Sequence, residues 1–427
     1  MATQKLGPGI IWAEDHEGKC HGVVRWPHYS LDPFFQMKRQ ALAADLSQYH
    51  EQPIHPYRLM KPSRLVLILS ALLALPFTSA RAQPATKADF AGPKQRTGLR
   101  LPDIWLHDPC ILADKVSQTY YLYTSSMPRR TGKNRAGTYA YKSKDLALWD
   151  GPFLVFECPD DSWAVSSVGA WAPEVHAYQG KYYLFTTLHN PTKQLPAALA
   201  SEPNLMRATI IAVSDSPQGP FVMLKKDSPI TPANFMALDG TLYVDPDGQP
   251  WMVYAHEWVQ KIDGTIEAIR LKKDLSEAVG EPIHLFKGSD APWLNAQAKP
   301  NSKPSLYVTD GPQLFRTKTG TLLMLWSSYE KNSFNGDGYV ETVARSKSGN
   351  IEGPWEQLPP LVQNDSGHGM LFRSFEGQLM LVLHQPFERA RGKIYEIDDL
   401  GDSLRVAKFR EDLSGPPLGP LPGQKPR

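Results

Sequence analysis

Three aspartates and one histidine stand at matching places in a phrase that recurs along the chain. The phrase is a short extended run opened by a polar or small residue, a turn, then a strand of aromatic and aliphatic residues. It reads HDPCILADKVSQTYYLYTSS, APEVHAYQGKYYLFTTL, LDGTLYVDPDGQPWMVYAHEW, TDGPQLFRTKTGTLLMLWSSY and GHGMLFRSFEGQLMLVLHQP. Superposed on their opening strands, the five copies put Asp108, Ala172, Asp239, Asp310 and His368 in one slot. Acids gathered at one place take different roles when their surroundings differ, one ionised and another kept protonated by burial and neighbouring negative charge. Such a pair is what hydrolysis of a glycosidic bond needs: a general acid for the leaving oxygen, and a base or nucleophile on the opposite face. A third carboxylate adds a modulator whose charge raises the pKa of the acid and holds it in position.

The elements that position these residues follow from the repeat. Successive slots lie 58 to 71 residues apart, room for four short antiparallel strands with turns. Five such units are the signature of propeller blades. The runs TYYLYT, KYYLFTT, PWMVYA, LLMLWSS and QLMLVL have strand composition, and four follow turn residues such as QGK, DPDG, KTGT and FEGQ. A second marker recurs as Gly151-Pro152-Phe153, Gly219-Pro220-Phe221 and Gly353-Pro354-Trp355, degenerate as Gly280-Glu281-Pro282. It reads as a turn ahead of an outer strand, since proline removes a donor that a central strand needs. The expected fold is therefore all-β, a five-bladed β-propeller with a central cavity. Side chains that open each innermost strand point to the axis and ring one end of that cavity.

Composition narrows the partners. With 21% charged residues, 41% hydrophobic residues and a formal charge of +2, the chain has no basic stripe, which argues against nucleic acid. Eleven tryptophans and 17 tyrosines serve sugar stacking or core packing equally well. Trp105, Trp171 and Trp258 flank slot-bearing strands and are the candidates for stacking on a sugar ring; the other tryptophans are assigned to the core. Of three cysteines, Cys110 and Cys158 lie in the first blade, where they either pair or remain buried thiols.

Residues 60–82 read as a secretory signal peptide, with Lys61 and Arg64 ahead of an apolar run from Leu65 to Phe77 and cleavage expected after Ala82. That run is short for a membrane span, which needs about 20 residues. A signal peptide works at an N-terminus, so residues 1–59 are expected to be an upstream over-extension without a fold. Residues 83–413 form the propeller, and the Pro- and Gly-rich residues 414–427 a disordered tail. The expected location is secreted or periplasmic, with no membrane attachment after cleavage.

The chain resembles glycoside hydrolase family 43, over roughly Pro102 to Phe409. The resemblance rests on Asp108-Pro109; on Trp171-Ala172-Pro173-Glu174 followed by Gly180-Lys181-Tyr182-Tyr183-Leu184; and on Leu238-Asp239 followed by Asp245-Pro246-Asp247-Gly248. It continues through Asp310-Gly311-Pro312, Val343-Ala344-Arg345-Ser346 with Gly353-Pro354-Trp355, and Gly367-His368-Gly369 with His384. It implies that Asp108 is the general base that activates water, Asp239 the pKa modulator and Asp310 the general acid, acting with inversion on oligosaccharide or polysaccharide substrates. The activities implied are α-L-arabinofuranosidase first, then β-xylosidase and endo-arabinanase. The family pattern carries Glu before Gly-Pro, and here Asp310 is shorter by roughly 1.5 Å of reach. Either the blade sits closer to the axis, or another carboxylate such as Glu174 or Glu257 is the acid, or the chain is a non-catalytic carbohydrate-binding propeller.

Two residues keep more than one reading. Glu174 lines the sugar site or caps a backbone amide. His368 contacts substrate, or holds a calcium or other cation on the axis, or is a hydrogen-bonded core residue; the chemistry itself requires no cofactor. The segment Asp245-Pro246-Asp247-Gly248 lacks the further ligands of a calcium loop and reads as a hairpin turn.

Overall fold

The computed structural model describes residues 10–14, 20–24, 94–125, 135–196, 205–294, 307–330 and 338–417. The chain divides into two units, Met1–Pro53 and Ile54–Arg427. In the first, strands β1 (Ile10–Glu14) and β2 (Cys20–Val24) pair antiparallel, where the sequence led us to expect no fold. The signal-peptide segment lies outside the described residues.

The second unit carries the five blades. Blade I is β4 (Cys110–Asp114), β5 (Thr119–Thr124), β6 (Gly137–Ser143) and β7 (Trp149–Glu157); β3 (Arg96–Leu99) is added on its outer edge through Arg96↔Gly151 and Leu99↔Trp149. Blade II comprises β8 (Trp171–Tyr178), β9 (Lys181–Gln194), β10 (Leu205–Ser214) and β11 (Val222–Met223). Blade III comprises β12 (Ala237–Val244), β13 (Pro250–His256), β14 (Thr265–Leu271) and β15 (Ala278–Lys287), and one parallel bridge, Ala208↔Ala237, ties it to blade II. Blade IV is β16 (Asp310–Arg316), β17 (Leu322–Tyr329), β18 (Tyr339–Ser346) and β19 (Trp355–Gln357). Blade V is β20 (Gly367–Arg373), β21 (Leu379–Gln385), β22 (Arg391–Asp399) and β23 (Leu404–Phe409). The expected five-bladed propeller is what the chain forms, and the Gly-Pro markers fall in or just before the outer strands β7, β11 and β19.

Large apolar side chains fill the spaces within and between blades. Trp149, Trp326, Tyr123, Phe185 and Leu122 are fully buried, and Phe286 of blade III packs 5.2 Å from the Trp326 ring of blade IV. Burying each such side chain contributes about 1.5–3 kcal/mol. Blade V meets the start of the propeller through polar links: Leu106 N–H donates to the Ala390 carbonyl at 3.2 Å and Arg391 Nε to the Pro102 carbonyl at 2.8 Å. A helical turn, Glu411–Ser414, follows blade V. Lys393 Nζ donates to the carbonyls of Ser414 (3.1 Å) and Pro416 (2.9 Å), and Ser414 is fully buried. The ordered chain thus runs past residue 414, where a tail was expected, because a buried ammonium needs these carbonyls as partners.

Each innermost strand is interrupted at its opening by a two-residue bulge. The bulges are Asp108-Pro109, Ala172-Pro173, Asp239-Gly240, Gly311-Pro312 and His368-Gly369, with register shifts at the last four. Their first residues all have left-handed backbone, with φ of 51°, 45°, 54°, 52° and 52°. For a residue other than glycine this costs about 1–3 kcal/mol, so something must hold it. The hold comes from the second strand of the preceding blade, always at the same register place. Ser125 Oγ accepts from Ala172 N–H at 2.8 Å, Thr187 Oγ1 from Asp239 N–H at 3.0 Å, Ser327 Oγ from His368 N–H at 2.7 Å, and His384 Nδ1 from Asp108 N–H at 3.2 Å.

The second bulge residue follows an equally simple rule. Pro109, Pro173 and Pro312 have no N–H to satisfy. Gly240 and Gly369 do, and theirs reach Thr209 Oγ1 (2.9 Å) and Glu341 Oε2 (2.6 Å) on the third strand of the preceding blade. Added Cβ atoms would meet those side chains at 2.8 Å, which explains glycine there. Ser327 sits at the centre of one such hold, accepting from His368 N–H and donating to the fully buried Glu341 carboxyl at 2.8 Å. Ser327→Ala is expected to destabilise the protein by about 1–3 kcal/mol, the cost of leaving buried polar groups without partners. Urea unfolding checks this, and a change within 0.5 kcal/mol, the usual scatter for a neutral surface site, contradicts it.

Candidate active site

The bulges decide which side chains reach the axis. Asp108, Ala172, Asp239 and His368 occupy equivalent bulge positions, as expected, but the fourth equivalent is Gly311 and not Asp310. Asp310 lies one residue earlier, in regular register with Ser327, where the other blades carry His107, Trp171, Leu238 and Gly367. The reason is local. The repeat aligns blade IV on its acid, whereas the backbone aligns on the residue that can turn left-handed, and Gly311 does this without a Cβ. A Cβ at Gly311 would come within 2.9 Å of the His368 ring.

Blades I, III, IV and V meet near this point through short contacts. Asp108 Oδ2 accepts from Ser125 Oγ at 2.7 Å, and its Oδ1 lies 3.2 Å from His368 Nδ1. Gly311 N–H donates to Asp239 Oδ2 at 3.3 Å. Tyr339, on the third strand of blade IV, donates its phenol to Asp310 Oδ2 at 3.2 Å. Burial holds that phenol well above its usual range, and the negative charges of Asp310, Asp108 and Asp239, with Tyr329, add to the effect. Tyr339 is therefore a neutral hydroxyl bonded to Asp310, within the field of Asp108 and Asp239. Asp310 is half-buried and the Asp108 side chain is 12% exposed.

The histidines beside Asp108 have separate duties. His384 is fully buried, which pushes it well below its ordinary range, and the neighbouring His107 pushes the same way. It is a neutral ring whose Nδ1 accepts the Asp108 amide proton, which puts its own proton on Nε2. Its 3.7 Å approach to Asp108 Oδ1 is therefore packing, not an ion pair. Tyr339 stacks on it at 5.6 Å, and Phe387 packs edge-on at 5.5 Å. His368 Nδ1 approaches the same oxygen, Asp108 Oδ1, at 3.2 Å, and the residue is 4% exposed.

Among the described residues, the possible ligand atoms that come within 4.8 Å of one another belong to His107, Asp108 and His384, and do not include His368. Two imidazoles and one carboxylate do not fit calcium, which takes six to eight oxygen ligands, and His384 Nδ1 already accepts a hydrogen bond.

Other expected site residues lie away from the acids. Glu174 is 2% exposed and directs its Oε2 to Thr241 Oγ1 (2.6 Å) and His176 Nε2 (2.9 Å), sealing blade II to blade III. It does not line a sugar site, because as the first residue after its bulge it is held inside the blade packing. Glu257 bonds Arg207 Nη1 at 2.9 Å, both nearly buried, so its carboxylate is committed to a guanidinium. Trp171 and Trp258 are only 7% and 8% exposed. Trp171 packs edge-on to His189 at 3.9 Å and under Arg207, which leaves half-buried Trp105, 5.0 Å from His107, with the most ring surface towards solvent. Cys110 and Cys158 are free buried thiols, pushed up to about 12 and about 11 by burial.

Tyr339, Ser125, Thr187 and Ser327 escaped notice as site residues. The signal lay in the aligned strands YLYTS, YLFTT, WMVYA, LMLWS and MLVLH, whose last letters, apart from Ala255, are the residues that hold the next bulge. The same positions read as strand composition alone, so their hydroxyls passed as ordinary.

Residues 104–410 match the family model of Glycosyl hydrolases family 43. The chain is 25% identical over 296 residues to the extracellular endo-alpha-(1->5)-L-arabinanase 1 of Bacillus subtilis (strain 168), covering 68% of this chain and 77% of that protein. An endo-arabinase structure from Bacteroides thetaiotaomicron VPI-5482 aligns with a TM-score of 0.60 at 39% identity, over 71% of this chain and 98% of that one. A thermostable family-43 glycoside hydrolase aligns with a TM-score of 0.57 at 20% identity, over 78% and 98%, a likeness of fold.

A pH dependence follows from His256, which precedes Glu257. Burial pushes this ring down to about 4 from 6.5; it stacks on Phe235 at 4.1 Å and bonds Gln260 Oε1 at 2.8 Å. The unfolded chain binds a proton there below about 6.5 that the folded chain refuses until about 4, so stability is full above 6.5 and falls as pH drops through that window. His256→Asn is expected to lose less stability between pH 7 and pH 5 than the wild type in urea unfolding; an equal loss contradicts this.

Proposed function

The chain belongs to glycosyl hydrolases family 43, and from that premise we propose that it is a secreted or periplasmic inverting glycosidase acting on arabinose-containing plant-type oligosaccharides and polysaccharides. Asp108 is the general base, Asp239 the modulator and Asp310 the general acid. The observation that carries this reading is the neutral Tyr339 hydroxyl bonded to Asp310, whose strand is tied through the Gly311 amide to Asp239.

Each placement supports its role. Asp108 is fixed by Ser125 on one oxygen and faced by His368 on the other, an orientation suited to drawing a proton from water. Asp239 is tied by a backbone amide to the bulge that follows Asp310, and its charge favours the protonated form of a neighbouring acid. Tyr339 donates to one oxygen of Asp310, which leaves the other to carry the proton to the leaving oxygen. Inversion requires the base and acid to stand about 6.5–9.5 Å apart with a water between.

Arabinan-type substrates are favoured over xylosides by the 39% identity to an endo-arabinase and by the second likeness to an extracellular arabinanase. This moves endo action ahead of the arabinofuranosidase activity first expected. Secretion is supported by the signal-like residues 60–82 and by that relative's extracellular description. Among the described residues no helix is long and apolar enough to cross a membrane.

The test uses linear α-1,5-arabinan, with proton NMR of the first-formed anomer. We expect turnover with inverted product, and loss of about 10²–10⁴-fold in kcat for Asp108→Asn and for Asp310→Asn, the usual worth of general acid-base catalysis. Arabinan binding with no turnover on any glycoside leaves instead a carbohydrate-binding propeller.

A further inference from the structure

The hold on the five bulges has one gap, and it falls beside the acids. Four bulge amides are taken up by a side chain at one register place on the preceding blade: Ser125, Thr187, Ser327 and His384. The fifth member of that set, paired with Leu238 on β12, is Ala255. It is fully buried and has no acceptor to offer the Gly311 amide. A buried amide needs a partner, and this one turns to Asp239 Oδ2 at 3.3 Å.

We propose that Ala255 is a positioning residue: its missing hydroxyl leaves the Gly311 amide to the Asp239 carboxylate, and so couples Asp239 to the strand that carries Asp310. This rests on the roles proposed above for those two aspartates. A hydroxyl at the same register place elsewhere sits 2.7–3.0 Å from its bulge amide, closer than the 3.3 Å of the Asp239 contact. A serine at 255 would therefore capture the amide and release one oxygen of Asp239. The Asp239 backbone would stay in place, because Thr187 holds its N–H independently.

Ala255→Ser is expected to lower kcat on linear α-1,5-arabinan about tenfold with KM unchanged within about twofold, since a misplaced modulator raises the barrier without touching ground-state binding. Ala255→Cys, of similar bulk but with a weakly accepting sulfur, is expected to retain kcat near the wild type. Thermal unfolding of both variants shows whether they fold. A folded Ala255→Ser with wild-type kcat, or equal losses for Ser and Cys, overturns the proposal. A second measurement is independent of turnover and of whether the serine variant folds. With glycine labelled by ¹⁵N, the Gly311 amide proton of the full chain is expected to shift upfield in Asp239→Asn, as a charge-assisted hydrogen bond becomes a neutral one. An unmoved Gly311 resonance overturns the proposal. A wild type inactive on every glycoside sinks the hydrolase reading, and the amide shift still decides the hydrogen bond.

Discussion

The left-handed bulge at the mouth of each innermost strand is the constraint on which the rest of the site depends. It turns one residue per blade against the preference of L-amino acids, and its amide is left without a ladder partner. The preceding blade supplies that partner, so the geometry of each slot is set by its neighbour and not by its own strand. The sequence of holds closes when His384 of blade V accepts from Asp108 of blade I. Asp108 is thereby placed by the last blade as well as the first, and its carboxylate is fixed only once the propeller has closed.

The same arrangement sorts charges from neutral groups. Burial keeps His384 and Tyr339 neutral, one as acceptor to the Asp108 amide and the other as donor to Asp310. Glu341, further out, is pushed well above the ordinary carboxylate range by burial, against the opposing hydrogen bonds from Ser327 and Gly369. Asp108, Asp239 and Asp310 each keep a different hydrogen-bond donor: Ser125, the Gly311 amide and Tyr339. Acid and base roles separate readily in such a setting, because each carboxyl has a different set of hydrogen bonds.

Most of the fold was legible because it is written five times. Alternating apolar strands, turn dipeptides and Gly-Pro markers each recur, and a repeated weak signal becomes a strong one. The edge strand Arg96–Leu99 was not legible: it occurs once, outside the repeat, and forms by pairing with Trp149 and Gly151. Asp108, Asp239 and His368 were legible because they stand on the bulge itself. Glu174 misled because a carboxylate beside a slot reads as a ligand, while alternation along the strand turned it into the blade packing against Thr241. Tyr339 was invisible for the opposite reason. It enters from a third strand, whose register against the axis depends on the length of the turns before it.

Blade IV shows why the departure from glutamate at Asp310 carries a different meaning in three dimensions. Compared letter by letter with Asp108 and Asp239, Asp310 looks like a third equivalent acid that is too short for its task. The backbone puts it elsewhere: ahead of the bulge, in regular pairing with Ser327, with Gly311 taking the left-handed turn. Its reach is therefore not to be measured against the slot acids, whose amides are held by the preceding blade, but against its own partners. Those are the Tyr339 phenol, which fixes one of its oxygens, and the Gly311 amide next to it, which ties its strand to Asp239. A longer side chain at this position would have to give up the Tyr339 contact or bend around it. The shorter acid and the buried tyrosine fit as a pair, and the strand positions both.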